Sequence, residues 1–491
     1  MTKRLVTLLF VFSTTVWATQ AFAFTHFVDN TNISSTDVNN PNGTSARPRK
    51  TVPVYLPAGS SVELRGGPYV ITSSVTWTGA GTADAPVTIT GVGRPIFTGR
   101  TSSGLTLKFQ GSYFTVDGIV IDTIAASSGA SSLSNFTFEN GELRNFSPGT
   151  NGTALALWGT NIKILNNEIH HNGDSEAPTE IDNSGTICVP GTVGLVIMGN
   201  RIHHNGGDGV TCGQDNTNDP ALWPRDILIA NNIIYRNREN AVDIKRARDV
   251  IVYGNVMYDY VSRDSSSGEA VVTHGGAQRV WILNNFIHTA ELGIVSTGAA
   301  DYIVAGNVIT NIKHNPASTY DPNSPYFGKA ILTYSTTNSY HIGNTIWNCD
   351  GGISYISSTA KTEIVNNIVS GLSSPSQQIT VTNSVMAAAS VWTSNVIGGA
   401  LRIRWGASLY TKLAAFQAAT GKGQSMINAD PLFVNPAAGD FRLQAGSPAI
   451  DRGVVHPIYA AFEYLYKQKI TYDILGILRP QGAGWNIGAY E

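Results

Sequence analysis

Residues able to do chemistry are concentrated in one short part of a weakly charged chain. Between Asn231 and Tyr260 stand Glu239, Asp243, Lys245, Arg246, Arg248 and Asp249, although Asp, Glu, Lys and Arg make up only 13% of the 491 residues. An average soluble domain carries roughly 25%. Asp243 and Lys245 are two residues apart in "ENAVDIK". In a strand this spacing puts both side chains on one face, about 6–7 Å apart along it. Asp208, Glu239, Asn240, Asp243 and Glu269 are oxygen donors of the type that surround Ca²⁺ in a loose shell of about 6–8 ligands. A cation beside Lys245, together with partial burial, would lower its pKa and make the neutral amine accessible as a base. His274, in "GEAVVTHGG", is the second candidate base. Such a set suits β-elimination from a uronate sugar. The proton beside the carboxylate is weakly acidic, so a metal or an Arg must neutralise the carboxylate while a base removes the proton. Arg246 is the Arg assigned to that step.

These residues need a scaffold that brings distant parts of the chain together, and the sequence contains one. "NIKILNNEIHHN", "GLVIMGNRIHHN", "DILIANNIIYRN", "DVIVYGNVMYDY", "RVWILNNFIHTA" and "DYIVAGNVITNI" share a layout. Apolar residues fall five and three positions before an Asn and two after it. The Asn positions are 167, 200, 232, 255, 285, 307, 344, 367 and 395, and the shortest steps are 22 and 23 residues. Short runs of period two are strands. A repeat of about this length, with no helical period and no fixed leucine pattern, predicts stacked coils of short strands. The fold expected is all-β, a right-handed parallel β-helix in which each coil rises about 4.8 Å. The Asn amides would bond from coil to coil as a structural ladder.

Counting on from Asn200 and Asn232 puts Val210 over Val242 and Cys212 over Ile244, facing inward. Thr211, Asp243 and Lys245 then face outward. Long connections flank this strip, at about 172–185, 213–226 and 259–268, as loops do that wall a binding face. Three residues after successive ladder Asn come His170, His203, Tyr235, Tyr258 and His288, an outward column able to stack sugar rings or simply itself. Trp223 is a further aromatic candidate. His203, Tyr235, Trp223 and Arg248 are thus assigned to substrate binding.

The ends frame the solenoid. Lys3 and Arg4, the apolar run Leu5 to Trp17 and Ala21-Phe22-Ala23 read as a secretory signal cleaved after Ala23. No later stretch reaches about 18 apolar residues, so no membrane span is expected. Residues 24–100 are expected to form an N-terminal cap and the first strands, 101–407 the coils, and 408–491 an irregular segment packed on the solenoid with a short helix at 408–421. A net charge of −2 gives no reason to expect nucleic acid as a partner. A monomer is expected. The three cysteines allow at most one disulfide. In the predicted register Cys188 and Cys212 face opposite ways, as inert thiols.

Both ends carry a resemblance. "GTSARPRKTVP…LRGGPY" resembles the N-terminal part of β-helix proteins related to polysaccharide lyases. "DPLFVNPAAGDFRLQAGSPAIDRG" and "ILRPQGAGWNIGAYE" resemble the closing segment of secreted bacterial β-helix proteins. The charged stretch is similar to that of family 9 polysaccharide lyases, calcium-dependent pectate-type enzymes with a D-D-x-x-D run. Here the run reads Glu239-Asn240-Ala241-Val242-Asp243, and Asp208-Gly209 matches an Asp-Gly pair one coil earlier. The resemblance implies Ca²⁺ and an acidic polysaccharide substrate. It departs at the family's G-N-G-F-K-L-G-G stretch, whose counterpart "GEAVVTHGG" has no lysine; Lys245 or His274 is then the base. The sequence leaves three readings: a lyase, a glycoside hydrolase using Glu239, Asp243 and Glu269 as paired carboxylates, or a non-catalytic adhesive β-helix whose charges are solvated ion pairs.

Overall fold

The computed structural model describes residues 23–99, 104–146, 152–177, 185–263, 266–315, 326–356, 361–372, 375–383 and 390–491. The expected signal segment, residues 1–22, lies outside them. Within the described residues the chain winds as a parallel β-helix with three strands per coil. Two rows of strands form a 27-stranded sheet and the third forms a 14-stranded sheet. One row contains Thr186–Cys188, Val210–Cys212, Val242–Ile244, Glu269–Thr273 and Leu292–Ser296, all paired parallel in register. This is the loop-walled face. The next row contains Val193–Met198, Arg225–Ala230, Arg248–Tyr253 and Gln278–Leu283. The third contains Glu168–His170, Arg201–His203, Ile233–Tyr235, Val256–Tyr260 and Phe286–Ala290.

Alternation along each strand makes the interior. Val242, Ile244, Val250, Val252, Ile234 and Met257 are wholly buried, and one apolar cluster continues from Val28 to Met426. Each such side chain contributes about 1.5–3 kcal/mol on burial. The expected Asn ladder is present. From Asn167 through Asn200, Asn232, Asn255, Asn285, Asn307, Asn344 and Asn367 to Asn395, each amide Nδ2 donates to the next Oδ1 at 2.9–3.1 Å. Each Oδ1 also accepts the preceding ladder residue's backbone N–H, as in Asn255 N–H to Asn285 Oδ1 at 2.9 Å. The corner needs a left-handed residue just before the ladder. Asn166, Asn231, Asn284 and Asn366, Gly199, Gly254, Gly306 and Gly343, and once Ser394, fill it; Gly and Asn enter that region at least cost.

The solenoid starts earlier than its repeat. His26–Asp29 pairs with Ser61–Arg65, and that strand with Val87–Gly91, so the N-terminal segment supplies the first strands of the sheets. At the far end Ser408–Tyr410 turns back antiparallel on Ile403–Trp405, so helix α1 is confined to Leu413–Thr420. A second helix, α2 (Pro457–Tyr466), lays Ile458, Phe462 and Tyr466 over Leu228, Ile251, Trp281 and Ile303. The second row is therefore helix-covered. Phe433, Phe441, Ile487 and Ala489 cover Val308, Ile368 and Val396 on the third. The closing segment thus folds back along two flanks of the cylinder and leaves the loop-walled face to its loops. No described helix is long and apolar enough to cross a membrane.

Candidate functional site

Consecutive coils set the site. Lys245 N–H donates to Cys212 O at 2.7 Å and His274 N–H to Ile244 O at 2.8 Å. These bonds continue the ladder just past the strands and bring Lys245 and His274 side by side. Asp243, outward in the middle of Val242–Ile244, lies beneath both. Its Oδ2 is 3.3 Å from Lys245 Nζ and its Oδ1 3.3 Å from His274 Nε2. The Asp243 side chain is only 4% exposed, against 23% for Lys245 and 36% for His274. A buried carboxylate thus carries two nitrogen groups that reach solvent.

The electrostatics change one expectation. Burial alone would lower the Lys245 pKa, but the Asp243 and Asp208 carboxylates outweigh it and hold the ammonium above its ordinary value. The lowered pKa read from the sequence presumed a cation beside the amine; the protein's own neighbours act the other way. Burial also works against protonation of His274, and the bond and charge of Asp243 overcome it, so the imidazole titrates above its ordinary 6.5.

The other expected ligands stand nearby but are already engaged. Asp208 is fully buried; its Oδ1 accepts from Asn240 N–H and Nδ2 at 3.1 and 2.9 Å, and its Oδ2 from Thr211 Oγ1 at 2.9 Å. Burial, then Asp243 and Glu239, push its pKa well up. Asn240 Oδ1 accepts from Ser266 Oγ and from Glu269 N–H, both at 3.2 Å, giving a short corner ladder Asp208–Asn240–Glu269. Burial raises the Glu269 pKa to about 7, with Asp243 adding to it. Glu239 Oε1 pairs with Arg238 Nη1 at 3.0 Å. Among the described residues the one set of three His, Cys, Asp or Glu ligand atoms lying within 4.8 Å of one another is elsewhere, at His170, His171 and His203. Among the described residues no three of the carboxylates Asp208, Glu239, Asp243 and Glu269 bring oxygens within 4.8 Å of one another; Asp208, Asn240 and Glu239 are bonded to the protein, while the buried Asp243 Oδ1 has no hydrogen bond.

Residues 213–224 flank the site, where Asn218 meets Arg246, and the described parts of the other two expected walls, residues 172–177 and 259–263, meet through Glu176 and Arg263. Trp223 is buried, its Nε1 donating to Thr217 O at 2.8 Å. It pins its own loop and is not an open platform for a sugar. Arg246 bonds through Nη1 to Asn218 Oδ1 of the same loop. Gly276, at φ 98°, keeps this corner tight, since a Cβ there would stand 3.3 Å from Arg246 Cγ. Arg248 opens the helix-covered strand between Arg225 and Gln278, away from Asp243. A groove of about 500 Å³ lined by Glu176, Arg236, Asp259, Arg263, Glu291 and Lys313, among others, lies beyond the wall that Glu176 and Arg263 help form, and does not contain Asp243, Lys245 or His274.

The aromatic column is real but lies on the third row, not beside Asp243. His170, His203, Tyr235, Tyr258 and His288 stack with ring centroids 5.0, 4.7, 4.8 and 4.8 Å apart. His203 and Tyr235 are 6% and 7% exposed, so their ring faces are occupied by each other and not open to sugar. Burial pushes the His203 pKa down to about 4, despite Glu168.

The cysteine expectation fails. Cys188 and Cys212 are register partners, both buried in the interior, and form a disulfide with Cα atoms 4.6 Å apart. The inward parity of Cys188 was unreadable because 21 residues separate it from Asn167, against 12 between Asn200 and Cys212. Cys349 is free and buried. Arg238 was also missed. It is fully buried, donates from Nε to Ala177 O at 3.1 Å, and ties Glu239 to the wall. A charge next to Glu239 in sequence gave no sign of this. The second Asn ladder, Asn172 to Asn205 to Asn237 at 2.9 and 2.8 Å, did have a signal, since an Asn follows five residues after the first in three coils.

Comparisons with known proteins agree on architecture. The family model "Right handed beta helix region" matches residues 103–259 and 222–391, together more than half of the chain. Among solved structures, the PL6 family alginate lyase AlyGC is similar at 15% identity with a TM-score of 0.54, over 80% of this chain and 53% of that one. The chain therefore spans about half the length of that lyase. The mannuronan C-5 epimerase AlgE6 A-module of Azotobacter vinelandii is similar at 14% identity and TM-score 0.46, over 75% and 91%. Pectate lyase Pel9A is similar at 13% identity and TM-score 0.40, over 96% and 97%. At such identities the likeness is one of fold. No curated protein matches the sequence.

Proposed function

Because the chain belongs to the right-handed β-helix family, a scaffold that offers its outer faces for chemistry, we propose that it is a secreted polysaccharide lyase cleaving a uronate-containing glycan on the loop-walled face. The observation that carries this reading is the convergence of Lys245 and His274 on the buried Asp243 carboxylate. Their roles follow from their electrostatics. With Nε2 facing the Asp243 carboxylate at 3.3 Å, Nδ1 is the nitrogen of His274 left to act as base. Above its raised pKa the ring is neutral and takes the proton beside the sugar carboxyl group. Lys245, held as ammonium, neutralises that carboxylate, the task first given to a metal or to Arg246. The electrons of the broken C–H bond form the double bond, the glycosidic C–O bond breaks, and water protonates the leaving oxygen. Arg246, fixed by Asn218, places a second positive charge for a neighbouring uronate. No step passes through calcium.

The test is incubation with pectate, alginate and related polyuronates, following the ultraviolet absorbance of the unsaturated product with and without chelator. Absorbance that persists under chelation supports the reading. Reducing ends without that absorbance would instead favour a hydrolase, for which Glu269, pushed up to a pKa of about 7 by burial with the Asp243 carboxyl nearby, is the specific argument. Inertness toward every glycan would refute both.

A further inference from the structure

The histidines of the third row do more than stack. Two consecutive coils read "EIHHN" (168–172) and "RIHHN" (201–205), and the β-helix superposes them, Glu168 on Arg201 and His170 on His203. The following residues, His171 and His204, turn the corner at φ 53° and 54°, and their rings stack at 4.9 Å. Four imidazoles from ten in the chain therefore meet in a two-by-two block. His170 Nδ1 is 2.7 Å from His171 Nδ1, and His203 Nδ1 is 2.8 Å from His204 Nδ1. We propose that His170, His171 and His203 bind a divalent transition-metal ion of the zinc class at this corner.

Three observations lead there. One ligand nitrogen from each of the three rings lies within 4.8 Å of the others. Tetrahedral ligands about 2.0–2.1 Å from zinc stand about 3.3 Å from one another, so the 2.7 Å His170–His171 contact must open and the ring nitrogens lying up to 4.8 Å apart must draw in for the ion to bind. The far nitrogens are already held. His170 Nε2 bonds Glu142 Oε1 and His203 Nε2 bonds Glu168 Oε1, each at 3.2 Å. With the proton on Nε2, each Nδ1 presents a lone pair, and carboxylates behind histidine ligands orient them and raise their basicity. Glu142 is itself fixed by Arg94 and Arg144. Finally, the corner has an entry path, since His171 is exposed while His203 is buried. His171 need only move its proton from Nδ1 to Nε2, at the solvent side, for all three to become ligands. His204 Nδ1 or water completes the tetrahedron. Imidazole nitrogens select zinc, nickel and copper over calcium and magnesium. The ion would fasten two coils where residues 172–177 and 204–209 leave for the loop-walled face.

The experiment is titration of the untagged protein with zinc near neutral pH, read by calorimetry and by melting temperature. One zinc per chain is expected, with a rise in melting temperature and no binding of calcium or magnesium at this corner. Absorption spectroscopy should give a nitrogen shell at about 2.0 Å. His171→Ala removes an exposed ring and should weaken binding at least about tenfold, and Glu168→Gln, which touches no metal, should weaken it about 10–100-fold. His203→Gln should abolish the rise in melting temperature; should that variant misfold, the two surface variants decide. Zinc affinity unchanged in both of these, a stoichiometry well below one, or equal binding of calcium would overturn the site.

Discussion

Two outward strips of the same cylinder stack ionisable side chains, with opposite results. On the third row the coils repeat a kind: ring lies on ring from His170 to His288, each neighbour closing off the last. On the loop-walled face successive coils break the repetition. Thr211, Asp243 and Val272 occupy equivalent positions, as Lys245 and His274 do one turn further along. Repetition yields a strip that satisfies itself. Its interruption leaves a carboxylate beneath an ammonium and an imidazole, with loops raised around it. One coil further the same face is apolar again, with Val272, Leu292, Val295 and Leu332 closed over by Phe327. The polar interval is therefore short, and its length marks the candidate site.

The contrast can be broken by substitution, most severely at the imidazole and the ammonium over Asp243. His274→Ala and Lys245→Met are each expected to lower kcat by about 10²–10⁴-fold on a polyuronate substrate while melting temperature changes little, as steady-state kinetics beside calorimetry would reveal. Asn285→Ala is expected to do the reverse. It removes bonds to Asn255, Val252 and Asn307, leaves buried groups unpaired, and should cost about 3 kcal/mol in chemical denaturation. Asp243→Asn should move the acidic limb of the pH–rate profile to lower pH. The carboxylate is what raises the His274 pKa against burial, so without it the neutral base is present at lower pH; a limb that stays in place would assign it to another group. The same pair has a stability signature. Its contribution is complete below the unfolded imidazole's pKa and is lost as pH rises through the raised folded value, which melting curves across that range would resolve. The smallest effect is expected in the repetitive strip, where Tyr258→Ala should cost about 1 kcal/mol and leave kcat unchanged.

Much of this was legible in the one-dimensional text. The Asn spacing gave the coils, the ladder and the strand parity, so the outward placement of Asp243 and Lys245 and the inward placement of Val242 and Ile244 follow from counting. Counting failed where an insertion intervened, as between Asn167 and Cys188, because parity does not survive a loop of free path. It also failed for groups whose state is set by distant neighbours. The Lys245 charge depends on Asp208 and Asp243 together. Trp223 and Arg246 are tied to Thr217 and Asn218 of one loop, which turns two apparent surface groups into parts of a wall. Helix α2 lies far from the repeats in sequence and was unannounced by them, yet it covers one whole flank.

The sequence by itself determined the winding, since a period of 22 or 23 residues with alternating apolar positions can bury those positions only by stacking coil on coil. It also determined which types of side chain face out. Which outward strip stays open, which oxygens are spent on the protein's own N–H groups, and which nitrogen can accept a proton were decided only by the tertiary structure. Those properties depend on distances of about 3 Å between residues tens to hundreds of positions apart, and on the burial that desolvates them.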